Sequence, residues 1–152
     1  MNIPEPNLDH LYQEVILDHN RRPRNFKAVA LATHYAHGFN NLCGDDYQLF
    51  LVIHDGKIED IGFQGKGCAI SKASASMLTT FIKGKTVDEA NILEDDFIKF
   101  MIQDTNAHQK TRVGRLSIFE GVKEFPVRVK CATLIWRTLE DALKDKREHE
   151  EH

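Results

Sequence analysis

The chain has 152 residues and 41% apolar content, which is enough to bury the core of one compact domain over residues 1–152. Charged residues make up 28% of the chain and leave a net charge of -3, so neither a basic surface nor a strongly acidic tail dominates it. These values argue against a nucleic-acid-binding protein, and we expect no nucleic-acid partner.

The first predicted element is an N-terminal amphipathic helix. Apolar residues recur at helical spacing from Leu8 to Ile16, with Asn7 placed to cap the helix and Pro23 placed to end it. The N-terminus lacks the basic and then apolar stretch of a secretion signal, and no later segment reaches the roughly 20 apolar residues of a membrane span. We therefore expect a cytoplasmic protein without a membrane partner.

Three strands are predicted next along the chain. Alternating apolar residues from Tyr47 to Ile53 indicate one strand, and Asp55-Gly56 supplies a turn into a second strand from Lys57 to Phe63. These two strands are expected to form an antiparallel hairpin. The segment Thr33 to Gly38 is a candidate third strand, although its alternation is weaker.

Helices are predicted in the second half of the chain. The stretch Cys68 to Lys83 has no interior glycine or proline and is followed by Gly84, which is typical of a helix C-terminus. A second helix is indicated around Asp95 to Gln103, and a last amphipathic helix is expected to start near Cys131. Between them, Gly114 to Pro126 contains two glycines and a proline, which predicts an irregular connection.

The order of these elements predicts the fold class. Strands come early and helices come late, without the alternation that a parallel sheet requires. We expect an α+β fold in which a small, mostly antiparallel three-stranded sheet packs against helices. The charged C-terminal run, about residues 144–152, is expected to fray from the last helix.

Three cysteines are the candidate functional residues, and their odd number without a secretion signal argues for reduced thiols rather than disulfides. Cys43 lies in Cys43-Gly44-Asp45, where the glycine frees the backbone and a carboxylate follows closely. Cys68 and Cys131 are each expected at the N-terminus of a helix. The positive end of the helix dipole would make both thiols more acidic than a free cysteine.

These residues allow more than one interpretation. Three thiolates and one carboxylate are a set that zinc accepts in tetrahedral geometry. However, the cysteines are far apart and form no CxxC motif, and free cysteines often fill hydrophobic cores. Asp45 and Asp46 equally fit a solvated turn before a strand. The spacing alone does not decide between a metal site and these structural roles.

The cysteine segments resemble the U-type iron–sulfur cluster assembly proteins. The matching segments are Cys43-Gly44-Asp45, Gly65 to Ser71 with Ala73 to Met77, and Phe125 to Ala132, preceded by matches at Leu11 to His19 and Pro23 to Asn25. The resemblance spans nearly the whole chain, and three cysteine motifs in this order are specific. The chain resembles the SufU branch more than the IscU branch, because Lys130 precedes the last cysteine where IscU proteins carry a histidine.

The SufU resemblance implies a zinc-dependent sulfurtransferase that accepts persulfide sulfur from a SufS-type cysteine desulfurase. Downstream iron–sulfur scaffold proteins are then expected as further partners. By the same resemblance Cys43 is the sulfur acceptor, and Zn²⁺ is held by Cys43, Asp45, Cys68 and Cys131. Arg128, near the last cysteine, either stabilises the thiolate or persulfide anion or is simply solvated.

Two other functions fit the same residues. The cysteines are also suited to a scaffold on which iron and a nascent 2Fe–2S cluster are assembled and then transferred, although Lys130 in place of histidine favours the zinc sulfur carrier. The third candidate is a zinc-stabilised interaction module without chemistry. One departure from the family pattern is Asn41, where relatives usually have proline, and this loosens the loop before Cys43.

Overall fold

The computed structural model describes residues 4–103 and 106–145. Its elements in chain order are α1 (Pro4–Arg21), β1 (His34–Asn40), β2 (Asp45–His54), β3 (Lys57–Lys66), α2 (Ala69–Ile82), α3 (Val87–Ile102), α4 (Ala107–Val113), a 3-10 helix (Gly114–Glu124) and α5 (Pro126–Leu143). The strands form one antiparallel sheet in the order β1-β2-β3. The predicted α+β fold class is confirmed.

The sheet is built from two consecutive hairpins. Asp55 and Gly56 both have positive φ, 53° and 73°, and form the tight turn between β2 and β3 that their sequence predicted. The predicted third strand is also confirmed, since β1 pairs with β2 from His34 to Asn40. Alternate residues of β2 are fully buried and face the helices, namely Tyr47, Leu49 and Leu51.

The core lies between the sheet and the helices α2, α3 and α5. Trp136 of α5 stacks 4.8 Å from the ring of Phe97 in α3, and its indole N–H donates a hydrogen bond to Ser74 of α2 at 3.1 Å. On β1, a Cβ added at Gly38 would collide with the hydroxyl of Thr138. This close approach seats α5 directly on the first strand, and it brings the N-terminal half of α5 to the β1–β2 turn.

Several helix boundaries differ from those predicted. α1 begins at Pro4, so Asn7 lies inside the helix and not at its N-cap, because prolines are tolerated in a first turn that needs no N–H donors. α3 begins at Val87 and is therefore much longer than Asp95 to Gln103. Its start is fixed by a reciprocal capping box between Thr86 and Glu89.

The prediction that Gly114 to Pro126 is irregular is wrong. Residues Gly114–Glu124 form a 3-10 helix, in which side chains three residues apart lie on one face. The residues that this spacing places together are buried, namely Leu116, Phe119 and Val122. Their burial against the core outweighs the local preference of the two glycines for a loop.

The C-terminal run can be compared with the structure only in part. Lys144 ends α5 as its C-cap, and the backbone N–H of Tyr35 on β1 donates to the carboxylate of Asp145 at 2.9 Å. Residues 146–152, where most of the predicted fraying falls, lie outside the described residues. Within residues 4–103 and 106–145, no helix has both the length and the apolar character needed to cross a membrane.

Candidate metal centre

Three side chains from distant parts of the chain meet beside the β1–β2 turn. The ligand atoms of Cys43, Asp45 and Cys131 all lie within 4.8 Å of one another, and the two sulfurs are 3.0 Å apart. Cys43 lies in the turn, Asp45 is the first residue of β2, and Cys131 lies in the second turn of α5. The packing of α5 on β1 therefore creates this cluster.

Asp45 is the most informative member of the cluster, since its side chain is only 1% exposed. Its Oδ1 atom accepts hydrogen bonds from the backbone N–H of Cys68 at 3.0 Å and from the hydroxyl of Ser71 at 3.1 Å. Its Oδ2 atom is buried and has no hydrogen-bond partner among the described residues. A buried carboxylate oxygen without a partner is costly, and a cation bound between Oδ2 and the nearby sulfurs would remove that cost.

Cys68 lines the same cavity as Cys43 and Cys131. It is the N-cap of α2, as predicted, and its sulfur accepts the backbone N–H of Ser71 at 3.4 Å. Its sulfur is not part of the tightest cluster, but all three cysteines line one cavity between α1, α2 and α5. Cys68 is therefore available as a fourth candidate ligand beside the cluster of Cys43, Asp45 and Cys131.

The expectation that Cys131 is more acidic than a free cysteine is wrong. Burial raises the pKa of the Cys131 thiol, and the neighbouring side chains of Cys43, Asp45 and Cys68 raise it further. The physical reason is that α5 starts at Pro126, a residue suited to the first helical position. Cys131 therefore lies inside the helix, past the first turn in which the helix dipole lowers a thiol pKa. A metal ion would have to displace the proton from this thiol in order to bind.

Two cations near Cys131 in sequence lie on different faces of α5. Arg128 lines the cysteine cavity, is exposed, and has its guanidinium group 5.4 Å from the centre of the Phe125 ring. Lys130 instead lines a separate groove with residues such as Phe39. In the part of the chain that the structure describes, the cluster of close ligand atoms contains no histidine.

Sequence reasoning did not identify three residues that support the cluster, which are Tyr47, Gly67 and Ser71. The hydroxyl of Tyr47 lies 2.9 Å from that of Ser71, and both residues are buried. Gly67 leaves room for this contact, because a Cβ there would collide with the Ser71 hydroxyl and lie 2.5 Å from Oδ1 of Asp45. Ser71 could have been noticed as the third residue after the N-cap Cys68, the position whose N–H a cap receives.

The donor set fits zinc. Thiolate sulfurs and one carboxylate oxygen are ligands that zinc binds in tetrahedral geometry, and the second carboxylate oxygen is already held by protein donors. An α+β fold that brings two cysteines and a buried aspartate within 4.8 Å, beside a cavity that a third cysteine also lines, defines a candidate thiol-based metal site.

The chain belongs to the NifU-like N-terminal domain family, whose model matches residues 11–132. A Bacillus subtilis (strain 168) protein named zinc-dependent sulfurtransferase SufU is 41% identical over 134 residues, covering 88% of this chain and 90% of its own. A Streptococcus pyogenes serotype M1 protein named iron–sulfur cluster assembly scaffold protein IscU is 40% identical over 143 residues, covering 90% of this chain and 85% of its own.

Solved structures agree with these relatives. A crystal structure of an iron–sulfur cluster assembly scaffold protein for the SUF system from Fervidobacterium islandicum AW-1 has a TM-score of 0.80 with 34% sequence identity. It covers 88% of this chain and 98% of that chain. The resemblance to iron–sulfur cluster assembly proteins that the three cysteine segments predicted is therefore confirmed.

Proposed function

We propose that the protein is a zinc-dependent sulfurtransferase, which accepts persulfide sulfur from a SufS-type cysteine desulfurase for iron–sulfur cluster assembly. The observation that carries this proposal is the cluster of two sulfurs and a buried carboxylate within 4.8 Å, with one carboxylate oxygen unpartnered among the described residues. The name of the 41% identical SufU relative supports the same function.

The proposed zinc ligands are Cys43, Asp45, Cys68 and Cys131. Zinc bound by them would keep the sulfurs as thiolates and protect them from oxidation. The buried position of Asp45 and the helix position of Cys131 suit a permanent ligand, since neither side chain can leave without disturbing packed structure.

Cys43 is the proposed sulfur acceptor because it is held by a turn alone, whereas Cys68 caps α2 and Asp45 and Cys131 lie in packed elements. It lies in a turn, its side chain is partly exposed, and the adjacent Leu42 is 66% exposed. Turns of this kind move more readily than packed helices and strands, so the Cys43 sulfur can reach a partner without disturbing the core.

The proposed reaction is a thiol exchange. The Cys43 thiolate attacks the terminal sulfur of the desulfurase cysteine persulfide, so that a new sulfur–sulfur bond forms on Cys43 while the old one breaks. The desulfurase cysteine leaves as a thiolate while the transferred sulfur keeps its proton, and loss of that proton to solvent then gives the persulfide anion on Cys43. Arg128, which lines the cavity, is proposed to stabilise the resulting persulfide anion.

The proposed docking surface surrounds the cavity. Three large apolar side chains near it are each at least 48% exposed, namely Leu42, Phe125 and Val127. Exposed apolar side chains beside a reactive thiol are typical of a protein interface. We expect α1 and the 3-10 helix next to this patch to contribute as well, and downstream iron–sulfur scaffold proteins to receive the sulfur.

The test is to measure bound metal in the purified protein and then react the protein with a cysteine desulfurase and cysteine. We expect one zinc per chain and, by mass spectrometry, one added sulfur on Cys43. Cys43→Ala should abolish both the added sulfur and the stimulation of the desulfurase. Persistent stimulation with folded Cys43→Ala would instead support an interaction module without chemistry.

The second candidate function is a scaffold for a nascent 2Fe–2S cluster, which is favoured by the 40% identical relative named as a scaffold. It requires the same cysteines as ligands. Iron and acid-labile sulfide in place of zinc, together with no persulfide on Cys43, would favour the scaffold over the sulfurtransferase.

A further inference from the structure

Ser71 contacts two of the four proposed zinc ligands at once. Its backbone N–H donates to the sulfur of Cys68 at 3.4 Å, and its hydroxyl donates to Oδ1 of Asp45 at 3.1 Å. Ser71 is only 1% exposed, so bulk water does not replace these contacts. Ser71, in the first turn of α2, thus connects two proposed zinc ligands, Asp45 on β2 and Cys68 at the N-cap of α2.

Tyr47 fixes the direction of the Ser71 hydroxyl. A serine hydroxyl has one hydrogen, and that of Ser71 has two acceptors within 3.1 Å, Oδ1 of Asp45 and the carbonyl of Cys68. The hydroxyl of Tyr47, 2.9 Å away, can donate to the Ser71 oxygen and leave the Ser71 hydrogen for an acceptor. An ionised carboxylate is the stronger acceptor of the two.

This arrangement makes the two oxygens of Asp45 unequal. Oδ1 receives two hydrogen bonds, from the hydroxyl of Ser71 and from the backbone N–H of Cys68, whereas Oδ2 has no partner among the described residues. We propose that Ser71, held by Tyr47, is a positioning residue that occupies Oδ1 and so makes Asp45 bind the metal through Oδ2 alone. This inference rests on the proposed function in so far as it assumes a metal at this site.

The consequence concerns coordination number. A carboxylate with two free oxygens can bind a cation through both, whereas one with Oδ1 already hydrogen-bonded supplies a single ligand atom. With three sulfurs and one oxygen the set has the four ligands that tetrahedral zinc requires. Partners of this kind typically change metal affinity 10- to 100-fold when they are removed.

The test uses Ser71→Ala, which removes the hydroxyl but keeps the backbone N–H to Cys68. We expect zinc affinity, measured by competition with a chromogenic chelator, to fall roughly 10- to 100-fold. In metal-free protein loaded with Co²⁺, the visible bands should weaken as the site departs from tetrahedral geometry. Tyr47→Phe keeps the buried ring and should cause a smaller change in the same direction.

The matched control is Ser76→Ala, on the same helix. Ser76 is fully buried, and its hydroxyl oxygen accepts the backbone N–H of Arg24 at 2.8 Å and lies 2.7 Å from Nδ1 of His19. Ser76→Ala therefore also removes the hydrogen bonds of a buried hydroxyl, at a residue that does not line the cysteine cavity. We expect Ser76→Ala to have the zinc affinity and the Co²⁺ spectrum of the wild type. Equal losses in Ser71→Ala and Ser76→Ala, or no loss in folded Ser71→Ala and Tyr47→Phe, would overturn the inference. Neither measurement uses a desulfurase, so a failure of sulfur transfer is recognised separately.

Discussion

The candidate site has two sides that are held in very different ways. On the turn side, Cys43 is kept in place by the β1–β2 turn, in which the N–H groups of Cys43 and Gly44 donate to the carbonyl of Asn40 at 3.3 and 2.8 Å. On the α2 side, Asp45 is 1% exposed, and its Oδ1 atom is hydrogen-bonded to the first turn of α2. If the proposed roles are right, the difference separates a nucleophile in a turn from a rigid metal-binding frame formed by Asp45, Cys68 and Ser71.

Such a division suits a sulfur carrier. A nucleophile that must reach another protein needs freedom, whereas ligands that retain a metal need fixed geometry and fixed partners. The predictions below disturb first the frame, then a buried carboxylate outside it, and finally the turn.

The largest effect is expected from Gly67→Ala, which disrupts the frame. The added Cβ would collide with the Ser71 hydroxyl and lie 2.5 Å from Asp45 Oδ1 and 2.6 Å from the Tyr47 hydroxyl. Overpacking of this kind typically costs about 1 to 3 kcal/mol in the free energy of unfolding. We expect that loss in chemical denaturation, together with a decrease in zinc affinity of at least roughly 100-fold because Asp45 is displaced.

Gly121→Ala is the control for this change. Gly121 lies in the 3-10 helix, and a Cβ there would meet no described atom within 4 Å. Its variant should match the wild type within about 0.5 kcal/mol and bind zinc normally. Normal zinc binding by Gly67→Ala would show that the frame is not as rigid as its contacts indicate.

Glu94 on α3 can be compared with Asp45, because it is also a buried carboxylate but lies outside the metal-binding frame. It is 8% exposed, and burial raises its pKa to about 7, with Glu140 and Asp95 adding to the effect and Arg137 and Lys144 opposing it. Below about pH 4.5 the group is protonated in both the folded and unfolded chain. As pH rises toward 7 the unfolded chain ionises first, so stability falls.

Glu94→Gln should remove this penalty. We expect the variant to be about 1 to 2 kcal/mol more stable than the wild type at pH 8 and nearly equal to it at pH 4, in urea unfolding of the metal-free protein. Glu124→Gln, at an exposed position, is the control and should leave the pH dependence unchanged. A constant difference between Glu94→Gln and the wild type across this range would contradict the predicted role of ionisation.

Local sequence patterns predicted much of the fold. The alternation of apolar residues and the Asp55-Gly56 turn predicted the β2–β3 hairpin, and the segment from Cys68 to Gly84 predicted α2. Both predictions succeeded because these signals act between residues close together in the sequence. The 3-10 helix was missed because Gly114 and Gly121 carry strong loop signals. What stabilises that helix is the burial of its apolar face against α3 and α5, which no local pattern reveals.

The candidate site was predictable only in part. The motif Cys43-Gly44-Asp45 drew attention to residues that the structure does bring together with Cys131. The raised pKa of Cys131 and the contact of Ser71 with Asp45 depend on tertiary packing between separate elements. The assignment of all four residues as zinc ligands, and of Arg128 to the persulfide, stays a prediction.

The smallest effect is expected from Asn41→Pro, which stiffens the turn side. Asn41 follows Asn40 in the turn closed by the Cys43 N–H, a position where proline is favoured, and Asn40 is in the extended conformation that a following proline requires. We expect a gain of about 0.4 to 1 kcal/mol in the free energy of unfolding, because the unfolded chain loses freedom.

The same substitution tests whether the mobility of Cys43 matters for sulfur transfer. If the thiolate must swing out to reach the desulfurase persulfide, Asn41→Pro should slow the appearance of added sulfur on Cys43 in a single-turnover experiment, while zinc affinity stays the same or rises slightly. Asn91→Ala, at an exposed position on α3, serves as a control that should leave transfer unchanged. Faster transfer in Asn41→Pro would mean that the turn side works by preorganisation, and the division between a mobile nucleophile and a rigid frame would then have to be abandoned.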